Sequence, residues 1–349
     1  MSTDQNKKFL AEVMGTMNQA WRTFLMSFSD VRKAWLDALN EVGKIHPSMY
    51  TPATCDIMRA FHYSSPDKVR VVLVGQDPYP GSEAGVGEHA EWGTTILHAD
   101  GLCFSSRAKK TPESLKNVFA CLVKAGFLKD AQSAPTSNVL EHWAEQDVLM
   151  LNTLLTTRRG ASNTHKFWLP FTSSVIKHLA ESRMQDPLTF MLWGNDAQML
   201  VQGLTGKPHI LLKWCHPSPR GQNNLPLAKK FINCDHFKRV NDRLVQNGGV
   251  PIVWSPLTFV TAFVSTRGTM EKALAAPAAT FTLSIPSLSY KYSDKLEDLQ
   301  TVLLQLVTRA PAFLNIYTCA DIGAIKVPNV AVFKLDQPTR EMEAASVKE

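Results

Sequence analysis

Four short apolar runs, each ending at a polar residue in a stiff loop, restrict the fold of this chain more than any other feature. The first lies in RVVLVGQDPYP, residues 70–80. Val71, Val72, Leu73, Val74 and Gly75 lack polar alternation, the mark of a strand buried on both faces. Pro78 and Pro80 then remove ladder donors and fix φ, so the chain must turn, leaving Asp77 on a rigid loop at the carboxyl end of the strand. DVLMLN (147–152) ends in Asn152, LTFMLWG (188–194) ends before Asn195 and Asp196, and HILLKWCHPSPR (209–220) leaves its run at His216. Segments of helical periodicity lie between these runs, which favours parallel strands with crossover helices. Parallel strands put their carboxyl ends on one edge, where open α/β sheets bind ligands. Asp77, Asn152 and His216 are therefore expected to converge. The expected fold class is α/β, a three-layer α/β/α arrangement around a central parallel four-stranded sheet.

The helical segments carry their own punctuation. Residues 5–42 read as helix, with Phe9, Leu10, Val13, Met14 and Met17 at helical spacing and Trp21, Phe24, Leu25 and Phe28 continuing the stripe. Residues 47–66 read as proline-punctuated loop around a short apolar helix, Ile57 to Phe61. Thr111, Pro112 and Glu113 supply a cap, a first-turn proline and a first-turn acid for a helix whose face is Leu115, Val118, Phe119 and Leu122, with Gly126 as its stop. Residues 171–182 repeat the pattern, and Asp235 is placed to cap a last helix bearing Phe237, Val240 and Leu244. After Trp254 the text becomes β-rich (VTAFVST, ATFTLSI, VAVFKL), with an amphipathic helical pattern at 295–310. The expected division is a domain over 1–255 and a small C-terminal α+β extension over 256–349.

Composition excludes several classes. In 349 residues, 44% hydrophobic and 19% charged is a globular balance with material for a large core. No run approaches the ~20 apolar residues of a spanning helix. The polar start MSTDQNKK has no apolar signal-peptide core behind it. The six cysteines, Cys55, Cys103, Cys121, Cys215, Cys234 and Cys319, include no C-x-x-C pair, which argues against zinc and against a disulfide framework. A reducing, intracellular setting is expected, with no membrane and no secretion. A formal net charge of +6 is compatible with a nucleic-acid partner.

Read together, GQDPYP (75–80), GLCFS (101–105), VLMLNTLLT (148–156), LWG (192–194) with Ala197 and Gln198, and HPSP (216–219) resemble family 1 uracil-DNA glycosylases. The five motifs stand in that family's order and span roughly residues 15–255. The resemblance implies hydrolysis of the N-glycosidic bond between uracil and deoxyribose in DNA, single- or double-stranded, with no metal and no cofactor. Such enzymes flip the nucleotide into a pocket. Phe104 matches the residue that stacks on the flipped ring, and Tyr79 matches the ring packed against uracil C5, where the methyl of thymine clashes. Gln76 matches the loop residue whose backbone holds the base. Asn152 matches the amide that pairs with the uracil edge: it presents a donor and an acceptor side by side, opposite to the order cytosine needs. His216 matches the histidine that donates a hydrogen bond to uracil O2 as charge accumulates there, and Asp77 matches the carboxylate that positions water and stabilises the developing sugar cation. Ser114, Pro217 and Ser218 match positions in the family's phosphate-contacting loops, so the resemblance implies that they bind DNA. A basic rim of Arg107, Lys109, Lys110, Arg158, Arg159, Lys166, Lys229 and Lys230 is expected to track the DNA backbone.

The chain also departs from the family's pattern. Pro80 replaces a usual histidine, Asp147 a usual glycine, and Asn195 a usual serine. Arg220 stands where a leucine usually fills the vacated stack, so Arg220, or a neighbour in 220–227 such as Leu225, is expected to take that part. Residues 81–99 form a glycine-rich insertion, expected to be a hairpin near the DNA cleft; a metal site from His89, His98 and the glutamates is the weaker reading of it. Pro80 and the added C-terminal segment point towards a virus or phage. A second function class is a DNA-binding scaffold of a replication complex, with a protein partner engaged through 256–349. A mismatch-type thymine/uracil enzyme conflicts with aspartate and tyrosine in the first loop.

Overall fold

A computed structural model describes residues 3–15, 17–85, 95–128 and 138–255, together with four strand segments between 263 and 331. The chain divides into two compact units, 1–256 and 257–349. In the first, the four apolar runs form β1 (Val71–Gly75), β2 (Val148–Asn152), β3 (Thr189–Trp193) and β4 (Ile210–Trp214). All pair in parallel, in the order β2-β1-β3-β4. Every residue of β1, β2 and β3 is buried, whereas the edge strand β4 is only partly so, which is why its run admits Lys213.

The order explains the layers. From β1 the chain moves one way to β2, then reverses to β3 and β4. Right-handed crossovers therefore place the helices before and after β2 on opposite faces of the sheet. On the β1–β2 crossover lies helix Glu113–Lys124, bound to the segment before the last helix by Cys121 Sγ donating to the Cys234 carbonyl at 3.2 Å. On the β2–β3 crossover lies helix Leu169–Ser182, where Phe171 stacks on Trp35 of helix Ser29–Gly43, ring centres 6.1 Å apart. The reversal leaves a crevice at the carboxyl ends of β1 and β3.

Several local expectations are corrected. The N-terminal stretch is three helices, Thr3–Met14, Gln19–Ser27 and Ser29–Gly43. The Asn18 side chain caps the second by accepting from Ala20 N–H at 2.8 Å, and Phe28 is extended between the second and third, so one apolar stripe runs over two bends. The helix expected at Ile57–Phe61 is replaced by two 3-10 turns, Thr54–Asp56 and Arg59–Phe61. At 113–124 the cap is Pro112, not Thr111, with no side-chain cap bond, because Pro112 is still extended (ψ 146°). Gly126 does end that helix in the left-handed region, φ 79°. Asp147 also stands there, φ 64°, held by Ser64 Oγ donating to its Oδ1 at 2.9 Å, which accounts for an aspartate in a glycine position.

In the insertion, Ser82–Ala84 and Thr95–Leu97 pair antiparallel as the base of a hairpin. His98 Nε2 faces Glu83 at 4.0 Å, while His89, Glu88 and Glu91 lie outside the described residues. In the second unit, Phe263–Ser265, Thr282–Ile285, Leu288–Lys291 and Val330–Ala331 make a four-stranded antiparallel sheet. The helix expected at 295–310 lies outside the described residues.

Candidate active site

The site is built from the loops that follow the strands. Gly75 is the last residue of β1 and pairs in register with Asn152, the last of β2. A side chain at 75 would strike Asn152 Oδ1 and come within 2.7 Å of Cys103 Cβ, so glycine is what lets the Asn152 amide lie across the strand end. Asn152 is 3% exposed. The next residues sew the two loops together: Thr153 N–H donates to the Gly75 carbonyl at 2.9 Å, and Thr153 Oγ1 and Leu154 N–H donate to the Gln76 carbonyl at 2.5 and 3.0 Å.

Asp77 follows at once. Its Oδ2 accepts the N–H of Asn163 at 2.5 Å, and Asn163 reaches it from the left-handed region, φ 57°. Burial pushes the Asp77 carboxyl above its ordinary range, opposed by that N–H and by the Thr157 hydroxyl and reinforced by the charge of Asp196. The Gln76 amide turns the other way and donates to Asp196 Oδ2 at 2.8 Å, joining the ends of β1 and β3. Tyr79 O–H reaches the Phe104 carbonyl at 3.4 Å.

Phe104 owes its place to a buried support. Asp100, wholly buried, accepts from Leu102 N–H at 3.1 Å and from Ser105 Oγ at 2.6 Å, and Arg59 pairs with it at 3.4 Å. Cys103 N–H donates to the Met150 carbonyl, fixing the loop to β2. The loop so held carries Phe104 at φ 61°, strained for an aromatic residue. Its ring lies 5.0 Å from Trp193 of β3 and 5.7 Å from His216.

His216 follows β4 and is walled by two glycines. A Cβ at Gly194 (φ 93°) would come 3.0 Å from His216 Cβ, and one at Gly221 would come 2.9 Å from it. Ser218 N–H donates to His216 Nδ1 at 3.0 Å, and Ser218 Oγ lies 2.9 Å from the same nitrogen. In the neutral ring the proton therefore sits on Nε2. Burial lowers the pKa of His216 to about 4 despite the opposing charge of Asp196, so the ring is neutral at physiological pH. Ser218 Oγ also accepts from Gly221 N–H at 3.1 Å, and the Pro217 carbonyl accepts from Asn117 and Gln222 at 2.7 and 2.9 Å. The HPSP loop is thus pinned on both sides.

The residues expected to grip DNA are more dispersed. Ser114, half-buried, is the second residue of helix Glu113–Lys124, and Arg220 is exposed in the single turn Pro219–Gln222. Leu225 is half-buried, whereas Leu227, two residues on, is 71% exposed. Of the basic rim, Arg107 forms an ion pair with Asp56 and Arg159 Nε donates to the Tyr50 carbonyl, while Lys109, Lys110, Arg158, Lys166 and Lys229 are exposed. The motifs give no role to Asp100, Trp193, Asp196 or Leu227; Asp100 stands directly before GLCFS, Trp193 lies within LWG and Asp196 two residues after it, so place in or beside a motif is the available signal.

Comparison with known proteins decides the family. The family model of the uracil DNA glycosylase superfamily matches residues 61–245. This chain belongs to that superfamily. The uracil-DNA glycosylase of equine herpesvirus 2 (strain 86/87) is 34% identical over 260 residues, covering 72% of this chain and 93% of that protein. That of Clostridium beijerinckii is 33% identical over 243 residues, covering 67% and 94%. Among solved structures, mimivirus uracil-DNA glycosylase superposes with a TM-score of 0.58 at 26% identity, covering 69% of this chain and 88% of that one. The α/β fold of this superfamily member is thereby shared with a viral enzyme. Among its described residues no helix is long and apolar enough to cross a membrane.

Proposed function

We propose that this chain excises uracil from DNA through Asp77 and His216, with Asn152, Phe104, Tyr79 and Gln76 holding the flipped base. The chain is a monofunctional uracil-DNA glycosylase, hydrolysing the N-glycosidic bond of deoxyuridine in DNA to free uracil and an abasic site, the first step of base excision repair. The observation that carries the residue assignment is the state of His216, a neutral ring whose Nδ1 is occupied by Ser218 N–H and whose Nε2–H remains to donate. As the glycosidic bond lengthens, negative charge gathers on uracil O2, and a fixed neutral donor favours that charge more than it favours the ground state.

Asp77 works at the opposite side of the broken bond. A carboxylate there orients water towards C1′ and faces the cationic sugar as it forms. The Asn163 N–H fixes Oδ2, and the Thr157 hydroxyl gives the carboxyl a second hold, so its direction towards the water is set. Asn152 reads O4 and N3–H of uracil, and its near-complete burial makes a mispaired base costly, since the amide would be left without partners. Ser114, Pro217, Ser218 and the exposed basic residues grip the phosphates of single- or double-stranded DNA, and Arg220 lies on the same loop.

The work is done inside the cell, where the DNA is, and the segment 256–349, outside the matched 61–245, is assigned to a protein partner. Release of free uracil from a single-uracil oligonucleotide tests the reading, with Asp77→Asn beside the wild type. Turnover is expected to fall by about 10³-fold in the variant, with DNA binding kept. DNA binding without any uracil release in the wild type would instead mark a scaffold.

A further inference from the structure

We propose that Asp196 is a positioning residue for the excision reaction: from the loop after β3 it locks the Gln76 amide across the switch point of the sheet and so fixes the loop that carries Asp77. The inference rests on the assignment of Asp77 and His216 given above. An acid in the first turn of a short helix, here Asn195–Leu200, ordinarily points to water and complements the free N–H groups there. Asp196 does something else. It is half-buried, and its Oδ2 takes the Gln76 Nε2–H at 2.8 Å, a side chain from the end of a different strand. A hydrogen bond to a carboxylate is stronger than one between neutral groups and holds its donor to one geometry.

Gln76 is thereby fastened from two sides. Its carbonyl is held by Thr153 and Leu154, directly after β2, and its amide by Asp196, in the short helix after β3, so the residue before Asp77 is tied to the ends of both neighbours of β1. The Asp77 carboxyl can only keep a water in line with C1′ if the peptide before it does not swing, and a misplacement of about 1 Å can cost about 10² in rate.

The same carboxylate is electrically placed between the two reacting groups. The groups facing Asp77 are the Asn163 N–H and the Thr157 hydroxyl from the segment after β2, and Asp196 from the loop after β3. Those facing His216 are Ser218 of its own loop, the Phe104 ring, and Asp196. Among the described residues, Asp196 is thus the charge that both share. Its negative charge favours a developing sugar cation and raises the proton affinity of Asp77.

Two variants of the full chain separate these roles, assayed for uracil release from a single-uracil oligonucleotide across pH, with Asp77→Asn as control. Asp196→Ala removes both bond and charge; kcat is expected to fall about tenfold with KM altered less than about twofold. Asp196→Asn keeps an acceptor for Gln76 and loses only the charge; it is expected to recover most of that loss, while the acid limb of kcat moves to lower pH in both variants. A melting curve verifies that each is folded, and Asp196→Asn keeps the test open if the alanine variant is not. Wild-type kcat in Asp196→Ala, or an acid limb of Asp196→Asn lying on that of the wild type, overturns the proposal. Full turnover in Asp77→Asn would fell the assignment of the site itself, a separate result.

Discussion

The His216 and Phe104 rings stand 5.7 Å apart at an interplanar angle of 39°, brought together from the ends of two loops that share no strand. Trp193 backs Phe104 at 5.0 Å from the strand between them, so a planar base stacked on Phe104 has its edge set relative to the imidazole. If Phe104 stacks the base and His216 donates to it, as proposed, this relationship makes recognition and charge stabilisation one geometric unit. It also explains why the strained backbone of Phe104 is tolerated: Asp100 and Arg59 hold the loop from beneath.

If His216 acts as a neutral donor, its titration is absent from the working range. Its pKa, lowered to about 4 by burial, leaves kcat free of a histidine limb near 6.5, and the acid limb instead reports Asp77, whose carboxyl burial raises above the usual range. His216→Leu is expected to lower kcat by about 10²–10³-fold with little change in DNA affinity. A pH profile of wild-type kcat checks the first statement; a limb at 6.5 that vanishes in His216→Leu would contradict it.

Uracil excision is expected to suffer from a change at the strand end behind Asn152. Gly75→Ala puts a methyl group into Asn152 Oδ1 and 2.7 Å from Cys103 Cβ, both packed against buried strands that cannot retreat. The variant is expected to lose about 1–3 kcal/mol of stability and to excise uracil far more slowly. Asn152→Asp, which reverses the donor at one atom, is expected instead to shift preference towards cytosine; uracil and cytosine oligonucleotides assayed side by side measure both.

The sheet and the edge that carries the candidate site were legible because three buried parallel strands leave apolar runs with no polar alternation, and each run ends where a polar loop begins. β4, only partly buried and carrying Lys213, was readable from its shorter apolar run and from the proline-stiffened HPSP loop that ends it. What was not legible depends on contacts between distant loops. An aspartate at 196 reads as an ordinary first-turn acid until Gln76 is seen bonded to it. Asp100 reads as a loop acid until Arg59, Leu102 and Ser105 are found around it. The breaks at Asn18 and Phe28 were hidden because the apolar stripe continues through them, and a stripe reports burial rather than an unbroken axis.

Acid is expected to destabilise the protein above the range where carboxylates titrate. His236 is wholly buried, and its Nδ1 accepts the Trp193 Nε1–H at 3.1 Å; burial lowers its pKa from 6.5 to about 4. The unfolded chain therefore binds more protons than the folded one between those values, so stability is full above 6.5 and declines as pH falls towards 4. The loss is about 3 kcal/mol for one such group. Buried His142, lowered to about 4 by the same cause, adds to it. Urea midpoints at pH 7 and pH 4.5 measure the fall, and His236→Gln, which keeps an acceptor for Trp193, is expected to shrink it.

The residue that fills the vacated base stack is expected to be Leu227. Arg220, which follows HPSP, is exposed but carries a charge that must be desolvated to enter a stack, and Leu225 is half-buried in its own loop. Leu227 shows 71% of its surface on the same loop, in one turn with Lys229, a large apolar side chain left mostly in water. An apolar wedge between base steps offsets the unstacking needed for flipping, a need that single-stranded DNA does not impose. Leu227→Ala is therefore expected to lower kcat/KM on duplex uracil by about tenfold and on single strands by much less. Arg220→Ala is expected to weaken both substrates alike through the loss of one phosphate contact, with a shallower salt dependence. A larger duplex-specific loss in Arg220→Ala than in Leu227→Ala would move the wedge back to the position directly after the HPSP loop.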